Sequence, residues 1–292
     1  MAMLPPSAPD AAPERHIPPA TGEPAPPVPG AFPARATRRW GGRRALEVGL
    51  ALLLLLGVVG AWEAFVRLRG LSRLVLPGPL VVAQYFVEHL LAGYFWPHLG
   101  TTLSEILLGF LAGSLLGIGL GALVAQSALL YRVLNPYIIA SQAMPKLALA
   151  PIFVVWFGFG ITPKVVITAL IAFFPLFENT LTGLNEVDPD KLELFRALRA
   201  TRWDTFTKLR LPNAVPYLFA GLRVAMVLSV VGAVVGEYVG ANRGLGALII
   251  AAQGTMDTPL MFAVFVLLTV VGVVLYQVVA LAERYCTRWR YQ

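Results

Sequence analysis

The chain has 292 residues, of which 57% are hydrophobic and only 13% are charged. A soluble domain carries about 25% charged residues, and the apolar residues here fall in blocks of roughly 20, the length of helix that crosses a bilayer. The composition therefore indicates an integral membrane protein. Its net charge of +7 fits basic residues gathered on the cytoplasmic side, so we expect no nucleic-acid partner. The single Cys286 excludes an internal disulfide or a cysteine metal cluster.

The N-terminal segment is rich in proline: eleven of the 23 prolines lie in residues 1–34. No apolar period survives there, which predicts a disordered tail with stretches of polyproline II. Five arginines follow before the first apolar block, namely Arg35, Arg38, Arg39, Arg43 and Arg44. That block is too long for a signal-peptide core, and no small-x-small cleavage site follows it. The arginines therefore indicate a cytoplasmic N-terminus rather than an export signal.

Six apolar segments are long enough to span a membrane. They are residues 45–66, 98–125, 134–158, 163–183, 215–240 and 261–283. With the N-terminus inside, sixteen lysines and arginines fall in cytoplasmic parts and five fall outside. The outside group is Arg67, Arg69, Arg73, Lys164 and Arg243. This bias predicts that both termini are cytoplasmic, although the cluster at 67–73 runs against it.

Two spans carry glycine at every fourth residue. The first row is Gly109, Gly113, Gly117 and Gly121, and the second is Gly232, Gly236 and Gly240. Glycine at this spacing leaves a flat strip along one helix face, where a neighbouring backbone approaches closely. The rows predict close helix packing, and a contact that slides during transport is the alternative.

The third span is interrupted by Pro145 and Pro151, and Lys146 lies between them near mid-membrane. Proline kinks a helix, and broken helices at membrane depth occur where they are buried in protein or line a cavity. A lysine at that depth indicates either an ion pair or a contact with an anionic solute. The candidate ion-pair partners are Glu105, Glu178 and Glu237.

Residues 184–214, between the fourth and fifth spans, form the most informative part of the chain. Eleven charged residues lie between Glu186 and Arg210, whereas the spans have almost none. Asp188-Pro189 has the form of an N-cap followed by proline at the first helical position, and predicts the start of a short helix. Its apolar face is marked by Leu192, Phe195 and Leu198.

A second short helix is predicted to follow a turn near residues 199–201. Residues 201–204 have the form of a capping box, Phe206 and Leu209 continue an apolar face, and Pro212 is expected to end the helix. Two capped helices outside the membrane suit a groove on a partner protein. The alternative is an ordinary solvated loop.

This loop resembles the ATPase-coupling signature of ABC importer permeases, in which Glu-Ala-Ala is followed by Gly after three residues and by Ile-x-Leu-Pro after nine more. The matching positions are Glu193, Leu194, Phe195, Arg199, Leu209, Leu211 and Pro212. The spacing is preserved, but Leu194-Phe195 replaces the alanine pair and Arg199 replaces the turn glycine. Arginine lacks glycine's easy access to positive φ, so the sequence leaves the turn geometry open.

Further stretches narrow the family. They are residues 76–79, 145–151, 156–160, 236–240 and 244–246. Together they are similar to permeases of the nitrate, taurine and alkanesulfonate group, which includes relatives for riboflavin and thiamine-precursor pyrimidines. The resemblance runs from residue 76 to the sixth span and is specific for the family but not for the substrate.

The resemblance implies an all-α integral membrane protein with six transmembrane helices, in the type I ABC importer permease fold with cytoplasmic coupling helices. Its parts are a disordered tail (1–42), an extra N-terminal transmembrane helix (43–75) and a five-helix permease core (76–292) with the coupling loop at 184–214. It implies a permease of the bacterial inner (plasma) membrane. It also implies a small solute, which is either an anion, such as a sulfonate or nitrate, or a vitamin-like precursor.

The implied partners are two ATP-binding subunits, a periplasmic or lipid-anchored substrate-binding protein and a second permease copy. No Gly-x4-Gly-Lys-Ser/Thr loop is present, so we expect ATP to be bound by the partner, with no cofactor or catalytic activity in this chain. The expected ATPase contacts are Glu193, Phe195, Arg199 and Trp203, with Asp204 capping the second helix. The expected pathway residues are Lys146, Glu237 and Tyr238.

A secondary transporter or channel is the main alternative. It predicts inverted repeats and paired intramembrane ionisable residues, and neither is visible in the sequence. A membrane-embedded enzyme is disfavoured because His16, His89 and His98 belong to no cluster with metal-ligand spacing.

Overall fold

A computed structural model describes residues 40–288 of the chain, and within that range the regular elements are all helices. The disordered tail predicted for 1–42 lies outside the described residues, except for its last three, which begin the first helix. The α-helices are α1 (Trp40–Leu68), α2 (Pro79–Leu91), α3 (Trp96–Ala125), α4 (Ala128–Ala143), α5 (Ala150–Phe157), α6 (Ile161–Asn185), α7 (Pro189–Ala197), α8 (Arg202–Thr205), α9 (Leu211–Tyr238), α10 (Leu245–Gly254) and α11 (Thr258–Cys286). The chain divides into two compact units within α1, after Leu54, and every contact described below lies in residues 55–288.

The described residues hold five helices long and apolar enough to cross a membrane, and a sixth candidate span is a bent pair. The five are α1, α3, α6, α11 and the continuous run Arg202–Tyr238. The pair, Leu129–Ala143 and Lys146–Phe157, bends by 78°. Pro145 lies at the bend, and Met144 before it is extended, with φ −69° and ψ 131°, as a residue preceding proline prefers. The predicted interruption of the third span is confirmed.

Helix α6 packs closely against α3 along the first glycine row. A Cβ atom added at Gly113 would lie 2.5 Å from the Ala169 carbonyl oxygen, and one at Gly117 would lie 2.7 Å from that of Phe173. Each glycine therefore touches backbone, where no side chain moves aside to make room. The packing predicted from the four-residue spacing is confirmed.

The second glycine row brings α9 against α6. A Cβ at Gly232 would lie 2.9 Å from Cα of Thr168, and one at Gly236 would lie 3.2 Å from Cα of Lys164. The expected third member, Gly240, does not belong to this row, because α9 ends at Tyr238 and Gly240 adopts φ +91° in the following turn.

Substituting a glycine of the first row tests this packing. Gly117→Ala pushes a methyl group against the Phe173 carbonyl and the Phe177 amide, and we expect a loss of about 1–3 kcal/mol of stability, seen as a lower midpoint of thermal unfolding in detergent. Gly119→Ala is the matched control, because a Cβ there meets nothing within 4 Å and alanine is the better helix former. Equal midpoints for the two variants would contradict the packing.

Candidate functional site

The loop after α6 begins with the predicted capped helix. The Asp188 carboxylate accepts a hydrogen bond from the amide of Asp190 at 3.0 Å, and Pro189 opens α7. Leu192 and Phe195 are half-buried, as their spacing predicted. Leu198 is 69% exposed, so its predicted place on the apolar face of α7 is wrong. The helix ends at Ala197, and the three-residue spacing no longer keeps Leu198 on that face.

The turn after α7 answers the question that the sequence left open. Arg199 adopts φ +51°, its amide donates to the Arg196 carbonyl at 2.9 Å, and the amide of Ala200 donates to the Phe195 carbonyl at 3.0 Å. This is the Schellman arrangement that normally carries glycine at its left-handed residue. The chain keeps the geometry of a glycine turn and accepts the backbone strain of an arginine there.

Helix α8 begins at the predicted capping box, with one change of role. The hydroxyl of Thr201 accepts from the Asp204 amide at 3.1 Å, so Thr201 is the capping residue. The Asp204 carboxylate accepts from the Thr201 hydroxyl and from Lys208 Nζ, the latter at 2.6 Å. Asp204 lies before the apolar part of its helix, and hydrogen bonds from Lys208 and Thr201 lower its pKa to about 2. Its carboxylate is therefore ionised at neutral pH and orients the cap.

Pro212 does not end the second helix, contrary to expectation. A π-helical turn at Phe206–Arg210 leads directly into α9, and Pro212 occupies the first turn of the new α-helical segment. Proline is tolerated there because the first helical amides have no α-helical acceptor. The short helix and the fifth span therefore form one continuous run, Arg202–Tyr238.

The loop exposes three large apolar side chains within ten residues. Leu194 is 56% exposed, Leu198 is 69% exposed and Trp203 is 72% exposed. Glu193 and Arg199 are exposed beside them, whereas Phe195 is half-buried. The Trp203 ring stacks on Phe206, with centroids 6.1 Å apart and planes at 28°, which holds it in a defined position.

The three expected pathway residues are not brought together. Lys146 pairs with none of its candidate carboxylates: its Nζ donates to the Gln142 carbonyl at 3.3 Å and lies 4.2 Å from the centre of the Phe174 ring. Tyr238 is 40% exposed and lines an apolar groove between α9 and α11. The pathway role of these residues stays a prediction.

The buried ion pair forms elsewhere, between Lys164 Nζ and Glu105 Oε1 at 2.7 Å. The sequence predicts that Lys164 lies in a segment on the outer side of the membrane. In the structure it lies inside α6 and is 7% exposed. Glu105 is fully buried in α3, and its Oε2 has no hydrogen-bond partner among the described residues. Each residue stands out in the sequence as an ionisable side chain within or next to an apolar segment. Their pairing could not be predicted, because nothing in the sequence indicates that they face each other.

Glu237 caps the N-terminus of α10. Its Oε1 accepts from the Thr102 hydroxyl at 2.6 Å, while its Oε2 accepts from the amides of Gly246 and Ala247, the latter at 3.3 Å. It is 1% exposed, and a Cβ at Gly244 would collide with its carboxyl group. The glycines that follow Glu237 in the sequence therefore make room for a buried carboxylate at the positive end of a helix.

The described residues therefore form a helical membrane protein with up to six candidate spans, close glycine contacts of α3 and α9 with α6, and a helical loop between the fourth and fifth candidate spans. Residues 113–288 match the family of binding-protein-dependent transport system inner membrane components. The chain belongs to this family. It is the permease component of an importer for a small solute and takes part in transport rather than catalysis.

The chain is similar over most of its length to several permeases. It is 39% identical to the riboflavin transport system permease protein RibX of Chloroflexus aurantiacus, over 83% of this chain and 90% of that protein. It is 36% identical to the formylaminopyrimidine transport permease protein ThiX of Halalkalibacterium halodurans, over 85% and 97%. It is 33% identical to the putative aliphatic sulfonates transport permease protein SsuC of Bacillus subtilis, over 88% and 93%.

Two solved structures share the fold. The MetNI methionine ABC transporter in an inward-facing conformation matches with a TM-score of 0.56 and 23% identity, over 65% of this chain and 93% of that chain. An amino acid ABC transporter with histidines matches with a TM-score of 0.57 and 20% identity, over 69% and 98%. The predicted type I ABC importer permease fold is confirmed.

Replacing Arg199 tests the strained turn. Arg199→Gly removes the cost of a left-handed arginine, and we expect a gain of about 1 kcal/mol, read as a higher thermal midpoint of the purified chain. Arg199→Ala is the control, because it removes the side chain but keeps a Cβ and therefore keeps the strain. A midpoint for Arg199→Gly no higher than that of Arg199→Ala would show that the backbone is unstrained.

Replacing Glu237 tests the cap of α10. Glu237→Ala leaves the amides of Gly246 and Ala247 without their acceptor, and we expect these amides to exchange hydrogen faster, with a stability loss of about 1–3 kcal/mol. Glu237→Gln keeps a neutral acceptor, so its stability and exchange rate should lie between those of the wild type and of Glu237→Ala. The check is hydrogen–deuterium exchange of the 244–254 segment; unchanged exchange in Glu237→Ala would rule out the cap.

Proposed function

We propose that this chain forms the transmembrane pathway of an ATP-driven importer, and that the segment from α7 to α8 receives the movement of a separate ATPase. The observation that carries the proposal is the exposed apolar surface on this segment, formed by Leu194, Leu198 and Trp203. A cap at Asp188, the turn at Arg199 and a cap at Thr201 hold the surface in shape. A connection with no partner has no need of apolar side chains held in water.

Hydrogen bonds join the two membrane helices that flank this segment, α6 and α9. Asn213, in α9, donates from Nδ2 to the carbonyls of Gly183 at 3.2 Å and Glu186 at 2.8 Å. The Tyr217 hydroxyl donates to Glu186 Oε2 at 2.9 Å. These bonds fasten the end of α6 to the start of α9, so a push on the loop displaces both helices together. This is the mechanical property that a coupling segment requires.

The proposed assembly contains two ATP-binding subunits, a second permease copy and a periplasmic or lipid-anchored substrate-binding protein. Membership of a binding-protein-dependent importer family supports the ATPase and the binding protein. The number of subunits and the pairing of two copies are part of the proposal. In this proposal ATP is held by the partner and this chain needs no cofactor of its own. The bias of positive charge supports a cytoplasmic position for both termini.

We place Lys146 and Tyr238 on the solute pathway, whereas the contacts of Glu237 favour a structural role. Lys146 lies at the bend of the broken span, with its ammonium group over the Phe174 ring. It forms no ion pair with a carboxylate of residues 40–288. A cation at that position favours an anionic solute, such as a sulfonate. The riboflavin and formylaminopyrimidine permeases among the similar proteins support a vitamin-like precursor as the other class.

Two of the intramembrane carboxylates are already engaged, which favours this function over a secondary transporter. Glu105 is paired with Lys164, and Glu237 caps α10. A proton or sodium relay needs carboxylates that exchange partners during transport, and these two instead hold helices together.

Truncating the exposed tryptophan tests the docking surface. Trp203→Ala removes a large aromatic contact, and we expect the affinity of this chain for the ATPase to fall roughly tenfold or more. The measurements are co-purification and solute-stimulated ATP hydrolysis in liposomes. Glu193→Ala and Arg199→Glu should weaken it as well. Tyr285→Ala is the matched control, since Tyr285 is 76% exposed but lies outside the loop. Intact association and coupling in all three loop variants would disprove docking.

Lys146→Gln tests the class of solute. If Lys146 contacts an anion, the variant should import an alkanesulfonate several-fold more slowly while riboflavin import stays unchanged, because only the charged solute loses an attraction. The assay is uptake into proteoliposomes that hold the complete importer, with Arg243→Gln as a control for loss of positive charge. An equal fall for both solutes would exclude an electrostatic role for Lys146.

A further inference from the structure

An open apolar groove runs along the outside of α9 and α11. It has a volume of about 720 Å³, and its walls include partly exposed side chains from both helices. They are Val227, Val231 and Tyr238 from α9, and Phe265 and Val273 from α11. In the part of the chain that the structure describes, nothing covers this groove.

A polar pocket of about 690 Å³ continues the groove at one end, with Tyr276 lining both. Three arginines line the pocket: Arg223, Arg284 and Arg288. Glu283 is the only carboxylate in its lining, and it is occupied by Arg223, 3.1 Å away. The guanidinium groups of Arg284 and Arg288 are exposed and make no ion pair with a described residue. The pocket is therefore positively charged, and the groove beside it is apolar.

We propose that this continuous surface binds an anionic phospholipid, with its phosphate in the arginine pocket and an acyl chain in the groove. Arginine forks suit phosphate oxygens, and basic pockets between transmembrane helices at the cytoplasmic side bind acidic headgroups. From Arg223 to Tyr238 the helix rises about 22 Å, which is longer than one leaflet of a ~30 Å hydrocarbon layer. An acyl chain whose phosphate lies at the arginines therefore contacts apolar side chains across the full thickness of one leaflet.

Positive charge is confined to one end of this surface, and this asymmetry determines which kind of ligand fits it. A purely apolar partner, such as a transmembrane helix, gains nothing from Arg284 and Arg288 and leaves them without counter-charge. A soluble anion gains nothing from the valine-lined groove. An anionic lipid satisfies both parts. The arginine end of the groove is also the end of α9 nearer the proposed coupling loop, so the lipid would bind on one of the two helices that the loop displaces.

The test compares two lipids that differ only in headgroup, dioleoylphosphatidylglycerol and dioleoylphosphatidylcholine, by native mass spectrometry of the full chain. Each unpaired arginine should favour the anionic lipid by about fivefold, so we expect a preference of roughly 25-fold. The double variant Arg284→Gln/Arg288→Gln should lose it, while Arg132→Gln, at an exposed arginine on α4, should keep it. Glycerol 3-phosphate, which has the headgroup phosphate but no chains, should compete only weakly.

The groove has its own matched pair of variants. Gly272 lines it, and a Cβ there meets nothing within 4 Å, so Gly272→Leu fills the groove without a clash and should weaken both lipids. Gly119→Leu, in equally open space on α3, should weaken neither. Equal binding of the two lipids, or an undiminished preference in the double arginine variant, overturns the proposal. If Gly272→Leu halves the mass of the complex and leaves lipid binding unchanged, the groove is instead an interface between two copies.

Discussion

The rest of the structure depends on the close approach of two helices to α6. At Thr168 the glycine rows of α3 and α9 meet the same residue, from Gly109 and from Gly232. Lipid tails are as apolar as leucine, so helix association in a membrane relies on dispersion contacts and on surfaces without protruding side chains. Glycines that rest on backbone supply both, and they join three helices into one unit that holds the remaining elements in place.

Polar contacts fix the two ends of this unit. At one end Asn213 ties α9 to the end of α6, next to the loop that exposes Leu198 and Trp203. At the other end the Lys164–Glu105 pair joins α6 to α3, and Glu237 anchors α10. A buried ion pair contributes little net stability but is costly to break, so this end is well suited to keep its geometry during the movement proposed for the loop end.

The sequence predicted the fold better than it predicted the side-chain partners. Apolar length, glycine spacing and cap-forming residues are local properties. The spans, the two glycine rows apart from Gly240, and the helix starts after Asp188 and Thr201 followed from them. The partner of a buried lysine depends on how helices face each other, which no spacing encodes, so the pair formed at Lys164 and not at Lys146. Pro212 was misread because the π turn before it restarts the helix. The positive φ of Arg199 could not be predicted, because arginine rarely adopts that conformation.

Contact between the ATPase and the loop that joins α6 to α9 can be detected by photo-cross-linking. Cys286 is the only cysteine, so Cys286→Ser gives a background in which Leu198→Cys carries a benzophenone probe. Leu74→Cys, 61% exposed outside this loop, serves as the reference position. We expect a cross-link to the ATPase from position 198 whose yield changes when ATP is added, and none from position 74. No cross-link from position 198 in an assembled, active transporter would contradict it.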